Sequence, residues 1–285
     1  MKLLYWLDEW QALTQQEQEM ALPISGYDLL DDVFVKYELV DLNKPLLFTF
    51  SPSGTDVQVQ DLTPDFSPWG GYELGIQQQV NIIAFQHLGQ SNWFRSRNLI
   101  FFLEQLSELL HPFKCRLGYG QSRGGFAIGA FANLLKLEHL LLFYPVSTKN
   151  KALVPWDDRL STELAQQFAW ESGYHDRDLG NAKGYIIYDP SNRIDCLHAE
   201  RYPELTHLKV VGMGHGTQST QLDKLEFFNL VAQEFVRHQT LDIDQFNKQI
   251  HALFKRGLIS ESPPVTRGDD HTLKTRFLTQ LLGAI

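Results

Sequence analysis

The stretch CRLGYGQSRGGFAIGAFANLLK, residues 115–136, decides the fold of this chain. Its first residues, 115–119, are typical of a short buried strand. Residues 126–136 are rich in Ala, Leu and Phe and contain no proline, which predicts a helix. Between the two lie residues 120–124, GQSRG, which fit the pattern G-x-S-x-G. The stretch therefore predicts a strand, a tight turn with one serine at its tip, and a helix.

This arrangement is typical of a nucleophile elbow. A residue at such a sharp turn has a strained backbone conformation. Gly120 and Gly124 leave space where a Cβ would collide with the neighbouring strand and helix. The positive end of the helix dipole then points at Ser122 and stabilises an anion formed there. An ordinary Gly-Ser loop is the alternative, and the flanking strand and helix favour the elbow.

Composition limits the classes of function. A length of 285 residues fits one large α/β domain or two small ones, and 43% hydrophobic residues allow a sizeable core. The formal charge of −9 argues against a nucleic-acid partner or an anionic membrane surface, both of which need basic patches. The two cysteines, Cys115 and Cys196, give no disulfide framework.

The sequence shows no signal-peptide pattern at its start and no apolar run long enough for a membrane span. We therefore expect a soluble, cytoplasmic protein. No H-x-x-x-H sequence is present, which disfavours a metal hydrolase, and no cofactor is predicted. A homo-oligomer is left open.

Strands and helices alternate along the chain, which predicts a mostly parallel sheet wrapped by helices. Besides the elbow, strands are predicted at 33–40, 46–50, 80–85, 138–144, 184–188 and 207–211. Helices are predicted at 2–20, 97–110, 196–202, 222–238, 244–256 and 271–282. We interpret the whole chain, 1–285, as a single domain with a lid-like insertion at about 149–182 and a C-terminal helical extension at about 240–285.

The insertion contains Trp156, Trp170 and Tyr174. These aromatic side chains either line a substrate pocket or anchor a surface segment to the core, and the sequence leaves both open.

Functional groups in such sheets lie at the carboxyl ends of the strands. Ser51, Ser122, Asp189 and His215 all lie at or just beyond the carboxyl ends of predicted strands. The sequence therefore predicts that these four side chains lie at one edge of the sheet.

The motifs GYGQSRGG, YDPSNRID and GMGHG occur in this order along the chain. Over roughly residues 30 to 240 the chain resembles the α/β-hydrolase superfamily, which uses the order Ser, Asp, His. The resemblance implies an α/β-hydrolase fold, with a mostly parallel central sheet and helices on both faces. It also implies a serine nucleophile activated by a histidine and a carboxylate.

In this interpretation Ser122 is the nucleophile and His215, between two glycines after the last strand, is the base. Asp189 is our first choice for the acid. Asp195 is the second, because an aspartate before a helix is also a good N-cap. If both aspartates are structural, the site is a Ser-His dyad. His198, in the helix after Asp195, is expected on a solvated face.

An oxyanion hole requires two donors. The backbone N–H of Arg123 is the first, and the N–H of Ser51 or Ser53 is the second, since Pro52 has none. The Arg123 side chain either attracts a substrate anion or forms a salt bridge, and we favour the salt bridge.

These features predict a serine hydrolase acting on a small-molecule ester or thioester through an acyl-enzyme. An acyltransferase that moves the acyl group to a sugar or other hydroxyl would use the same residues. A non-catalytic binding protein on the same fold is the alternative from another class.

Overall fold

The computed structural model describes residues 1–89, 93–160, 173–215 and 222–261. Within these ranges eight strands form one sheet. They are β1 Ile24–Leu30, β2 Val33–Leu39, β3 Leu46–Phe50, β4 Asn81–His87, β5 Arg116–Gln121, β6 His139–Phe143, β7 Lys183–Tyr188 and β8 Thr206–Lys209.

The strand order is β1-β2-β4-β3-β5-β6-β7-β8. β2 is antiparallel to both of its neighbours, whereas all other adjacent pairs are parallel. The carboxyl ends of β3, β5, β6, β7 and β8 therefore meet at one edge of the sheet. β5, which leads into the elbow, lies between β3 and β6.

The described helices cover both faces of the sheet. They are α1 Lys2–Gln11, α2 Gln15–Met20, α3 Tyr72–Gln77, α4 Arg97–Leu109, α5 Arg123–Phe131, α6 Arg193–Ala199, α7 Leu222–His238 and α8 Ile243–Lys255. Buried residues of α1, α4, α5 and α6 form one core cluster, and those of α3, α7 and α8 form a second. Successive residues of β3 point to opposite clusters, Phe48 to the first and Leu47 to the second.

This architecture confirms the predicted α/β-hydrolase fold, with a mostly parallel sheet and helices on both faces. None of the described helices is long and apolar enough to cross a bilayer. Both cysteines are free thiols.

Several element boundaries differ from the sequence predictions. The helix predicted at 2–20 is divided into α1 and α2, because Thr14 starts the second helix with a capping box that it forms with Glu17. The sequence did not predict β1 or α3. The helix predicted at 271–282 lies outside the described residues.

The described parts of the predicted insertion contain no strand between residues 149 and 182. They include a short 3-10 turn, Asp158–Leu160. In the predicted extension, α8 buries Phe246, Ile250 and Leu253 in the same core cluster as α7. The extension therefore packs against its own sheet through α8.

Candidate active site

The turn between β5 and α5 holds Ser122 in a strained conformation, with φ 49° and ψ −114°. A Cβ on Gly124 would lie 2.1 Å from the carbonyl oxygen of Phe50, and one on Gly120 would lie 2.6 Å from the backbone of Gly124. Both positions therefore require glycine. The close approach also sets the start of α5 directly against the end of β3.

Backbone hydrogen bonds fix the turn on both sides. The N–H of Ser122 donates to the carbonyl of Phe143 at 3.1 Å, at the end of β6. The carbonyl of Ser122 accepts from the N–H groups of Phe126 at 3.0 Å and Val146 at 3.2 Å. With its backbone held in this way, the partly buried Ser122 presents its hydroxyl at the carboxyl edge of the sheet.

The imidazole of His215 lies beside this hydroxyl. Ser122 Oγ and His215 Nε2 are 3.1 Å apart, although 93 positions separate the two residues. His215 follows β8 on a turn in which Gly212 has φ 81° and Gly214 has φ 75°. Side chains rarely adopt this left-handed conformation, so the turn needs glycine at these places. The His215 side chain is 29% exposed, and the pair therefore has access to solvent.

The carboxylate in contact with His215 belongs to Asp195. His215 Nδ1 and Asp195 Oδ1 are 2.6 Å apart, and Asp195 is buried. Asp195 lies in the first turn of α6, whose N-cap is Asn192. The Asn192 side chain accepts hydrogen bonds from the N–H groups of Ile194 and Asp195. Because Asn192 caps the helix, the Asp195 carboxylate can face the imidazole.

The structure corrects our first choice of acid, Asp189, whose hydrogen bonds go elsewhere. Its Oδ1 accepts from the N–H of Ser191 at 2.9 Å and from the Ser191 hydroxyl at 2.6 Å. Its Oδ2 accepts from the N–H of Gly214 at 2.8 Å. Asp189 thus joins the end of β7 to the turn that carries His215 and stabilises that turn.

The predicted oxyanion donors have different environments. Arg123 is the first residue of α5, where backbone N–H groups have no partner within the helix. Ser51 is a second correction, because its N–H donates to the carbonyl of Phe85 at 2.9 Å and is already used. Ser53 lies exposed in the following loop and stays the candidate for the second donor.

The Arg123 side chain is buried and forms an ion pair with Asp56 at 2.8 Å. It also donates to the carbonyl of Pro52 at 2.8 Å. Burial lowers the pKa of the guanidinium, and the carboxylate of Asp56 opposes that effect. The side chain therefore forms the salt bridge that we favoured, and it holds the loop after β3 against the elbow.

Tyr144, which the sequence did not single out, lies directly after β6 with φ 36°. Its ring centroid is 5.1 Å from that of His215, and its hydroxyl donates to Gln121 Oε1 at 2.9 Å. Burial raises the pKa of Tyr144 far above its usual value, so its hydroxyl stays neutral. The only sequence signal was its place at the carboxyl end of a buried strand.

His198 is a third correction, since it is fully buried rather than solvated. Its Nε2 lies 2.9 Å from Asp157 Oδ2, and its Nδ1 accepts from the N–H of Ser147 at 3.1 Å. Burial lowers the pKa of His198, against the opposing effect of the Asp157 carboxylate. Nothing near His198 in the sequence indicated this partner, because Asp157 is 41 positions away.

The described aromatic side chains of the insertion act as anchors. The Trp156 ring lies 4.7 Å from that of His198, and the Tyr174 ring lies 5.2 Å from that of Phe131. The Tyr174 hydroxyl donates to Glu104 Oε1 at 3.2 Å. These contacts favour anchoring over a pocket for both residues. Trp170 lies outside the described residues.

Across the described ranges, no group of three or more His, Cys, Asp and Glu side chains is arranged to hold a metal ion.

No protein-family model and no curated protein sequence matches this chain. Similar solved structures include EstE1, a thermophilic carboxylesterase cloned from a metagenomic library, which is 13% identical with a TM-score of 0.48 over 80% of this chain and 98% of that one. A hyperthermophilic esterase from the archaeon Pyrobaculum calidifontis is 12% identical, with a TM-score of 0.49 over 83% and 97% of the two chains. The capsule O-acetyltransferase of Neisseria meningitidis serogroup A is 11% identical, with a TM-score of 0.49 over 77% and 100%. At such identities and TM-scores, these likenesses say nothing about the activity of this chain.

Proposed function

We propose that this chain is a serine hydrolase that cleaves a small-molecule ester or thioester through an acyl-enzyme. Ser122 is the nucleophile, His215 the general base and acid, and Asp195 the carboxylate. One observation carries the proposal: Ser122 Oγ lies 3.1 Å from His215 Nε2, and His215 Nδ1 lies 2.6 Å from Asp195 Oδ1. In this arrangement the nucleophile contacts the base, and the base contacts an acid that orients it. The same arrangement occurs in acyl-transfer sites on unrelated folds.

The carboxylate determines which imidazole nitrogen accepts the proton. Asp195 accepts a hydrogen bond from the Nδ1–H group of His215. Because the imidazole hydrogen is therefore on Nδ1, Nε2 is free to take the proton of Ser122. Asp195 is buried, so its attraction for the imidazolium that forms is weakly screened by water.

Acylation begins when Oγ of Ser122 attacks the substrate carbonyl carbon. As the new C–O bond forms, the hydroxyl proton passes to His215 Nε2. The imidazolium then gives this proton to the leaving alcohol or thiol as its bond to the carbonyl carbon breaks. The acyl group stays on Oγ as an ester.

Deacylation repeats these steps with water. His215 removes a proton from water, and the hydroxide oxygen attacks the acyl carbon. The bond from Oγ to the acyl group breaks, the carboxylic acid leaves, and Oγ recovers its proton from the imidazolium.

The negative oxygen of each tetrahedral intermediate needs donors. The N–H of Arg123 at the positive end of α5 supplies one, and the N–H of Ser53 is the proposed second. The contact of Arg123 with Asp56 supports this arrangement, because it fixes the loop after β3 beside the elbow.

A fluorophosphonate probe and p-nitrophenyl acetate test the proposal together. We expect wild-type protein to react with the probe and to release p-nitrophenol. Ser122→Ala should lower both rates at least about 10³-fold, because the attacking oxygen is lost. Ser25→Ala is the matched control, since Ser25 is exposed on the edge strand β1, and it should behave as wild type.

Each other outcome has a distinct meaning. Wild-type protein that does not react would contradict the proposal and favour a binding protein on this fold. Reaction that persists in Ser122→Ala would contradict the assignment of the nucleophile. Product analysis with sugars or other hydroxyl compounds separates the hydrolase from an acyltransferase, because a transferase gives the acylated acceptor in place of the free acid.

A further inference from the structure

The Asp195 carboxylate is shared between the imidazole of His215 and a guanidinium. Arg159 Nη1 lies 3.3 Å from Asp195 Oδ1, the same oxygen that lies 2.6 Å from His215 Nδ1. The positive charge of Arg159 is therefore within about 6 Å of the imidazole, a distance at which charges act strongly on each other. Arg159 belongs to the 3-10 turn of the insertion.

A second carboxylate holds Arg159 in place. Arg159 Nε lies 3.0 Å from Asp157 Oδ1, and Arg159 Nη2 lies 3.3 Å from Asp157 Oδ2. This two-point contact leaves Nη1 directed at Asp195. Asp157 thus fixes the orientation of the guanidinium, and the guanidinium can in turn orient the Asp195 carboxylate.

Asp157 is itself fixed and charged. It accepts from Lys149 Nζ at 3.1 Å and from His198 Nε2 at 2.9 Å. Burial would raise the pKa of Asp157, but the hydrogen bonds from His198 and Arg159 and the charge of Lys149 outweigh it and hold the pKa well below the usual range. A permanent anion therefore anchors Arg159.

Asp157 also contacts α6, the helix that carries Asp195. Asp195 and His198 both lie on α6, three positions apart, where side chains share one face. His198 accepts from the N–H of Ser147 at Nδ1, so its Nε2 carries the hydrogen that Asp157 receives. The helix and the insertion are therefore joined twice, once through Asp157 and once through Arg159.

Other groups near the imidazole and its carboxylate differ from Arg159 in charge. Tyr144 from the end of β6 faces the imidazole, and Asp189 from the end of β7 contacts the turn that carries it. Cys196 follows Asp195 on α6, and burial raises the pKa of its thiol to about 11, so the thiol is neutral near pH 7. Among the described residues, Arg159 is the arginine in contact with Asp195.

We propose that Arg159 is a positioning residue for the triad: it orients the Asp195 carboxylate toward the imidazole of His215. The kinetic part of this inference rests on the proposed function. The orientation of Asp195 does not, because the hydrogen bond between His215 and Asp195 can be observed without a reaction.

The test compares Arg159→Gln, Arg159→Lys and wild type by the rate of fluorophosphonate labelling at constant pH. We expect Arg159→Gln to label about tenfold more slowly, because Asp195 loses a charged hydrogen-bond donor. Arg159→Lys keeps the charge and loses the fork, so its rate should lie between those of wild type and Arg159→Gln.

Arg177→Gln is the matched control. Arg177 pairs with Glu204 at 2.8 Å and is partly exposed, like Arg159, but it makes no contact with Asp195. It should label with the wild-type rate. If Arg159→Gln does not fold, Arg159→Lys decides: a lower rate supports the proposal, and an unchanged rate overturns it.

The Nδ1–H proton resonance of His215, assigned with His215→Gln, gives a readout that needs no reaction, because it reports the hydrogen bond to Asp195. In Arg159→Gln this resonance should move upfield or broaden, since the Asp195 carboxylate is less firmly oriented. A resonance unchanged from wild type would overturn the proposal, even if the variant unfolds more easily. Failure of wild-type protein to label would count against the proposed function alone, because the resonance still tests the orientation of Asp195.

Discussion

The elbow and the acid side of the candidate site differ in how their geometry is encoded. At the elbow, the serine, both essential glycines and the start of α5 lie within residues 120–124. On the acid side, Arg159, Asp195 and His215 come from three segments and meet only in the folded chain. The place of the nucleophile is therefore a property of a short motif, whereas the place of the acid is a property of long-range packing.

The acid side also shows why a residue type at the end of a strand is not enough to predict which carboxylate contacts the histidine. Asp189 and Asp195 both follow β7, and both are buried. Their hydrogen-bond partners distinguish the two residues. Asp189 accepts from the N–H of Gly214, in the turn that carries His215. Asn192 caps α6, so the Asp195 carboxylate is not needed as the cap and can face the imidazole. The hydrogen-bond requirements of nearby backbone groups thus decide which carboxylate faces the imidazole.

The largest expected effect comes from the acid side. Asp195→Asn should lower the rate of fluorophosphonate labelling about 10³- to 10⁴-fold, because an amide stabilises the wrong imidazole tautomer and does not balance the imidazolium charge. Labelling kinetics at constant pH measure the change.

Asp189→Asn is the matched comparison. It keeps one acceptor oxygen for Ser191 or Gly214, so labelling should stay within about tenfold of wild type and the free energy of unfolding should fall by about 1 kcal/mol. If the two substitutions had equal effects on labelling, the distinction between the aspartates would be wrong.

A substitution at the elbow should change the stability of the fold. Gly124→Ala places a Cβ about 2.1 Å from the carbonyl oxygen of Phe50, and that backbone atom belongs to the central sheet. We expect the free energy of unfolding to fall by about 3 kcal/mol, as in overpacked cores. Urea denaturation followed by circular dichroism measures it.

Gly173→Ala is the control for glycine replacement, because no atom of the described residues lies within 4 Å of a Cβ at that position. Its free energy of unfolding should change by less than about 1 kcal/mol. A Gly124→Ala variant as stable as this control would show that the elbow is less tightly packed against β3 than we describe.

The smallest effect concerns the buried His198. Burial lowers the pKa of the folded imidazole, so below about pH 6.5 the unfolded chain binds a proton that folded His198 resists. The free energy of unfolding should therefore fall as pH decreases below about 6.5.

His198→Gln keeps a donor toward Asp157 but has no titration in this range, so its stability should depend less on pH than that of wild type. Asp157 does not interfere, because its pKa lies well below this window. Parallel pH profiles for the two proteins would contradict the account of His198 as a neutral buried group.

The parts of the molecule that the sequence predicted are those with local signals. The continuous apolar runs of β3, β4 and β6 indicated strands buried on both faces, and the G-x-S-x-G pattern indicated the elbow. β1 was missed because ISGYDLL exposes Tyr27 and Leu29, which blurs the alternation.

Other features depend on contacts that no local pattern contains. The N–H of Ser51 is used by Phe85, a residue of the adjacent strand. His198 is buried because Asp157, in the insertion, and Ser147, just before the insertion, satisfy its two nitrogens. Hydrogen bonds of this kind form only once the chain has folded, so residue type and spacing do not predict them.

The most direct test of the central claim is to locate the fluorophosphonate adduct on wild-type protein by peptide mapping and mass spectrometry. The account predicts one adduct, on Ser122, beside His215. An adduct on Ser147, whose hydroxyl lies 2.9 Å from Nδ1 of the buried His198, or the absence of any adduct would contradict it.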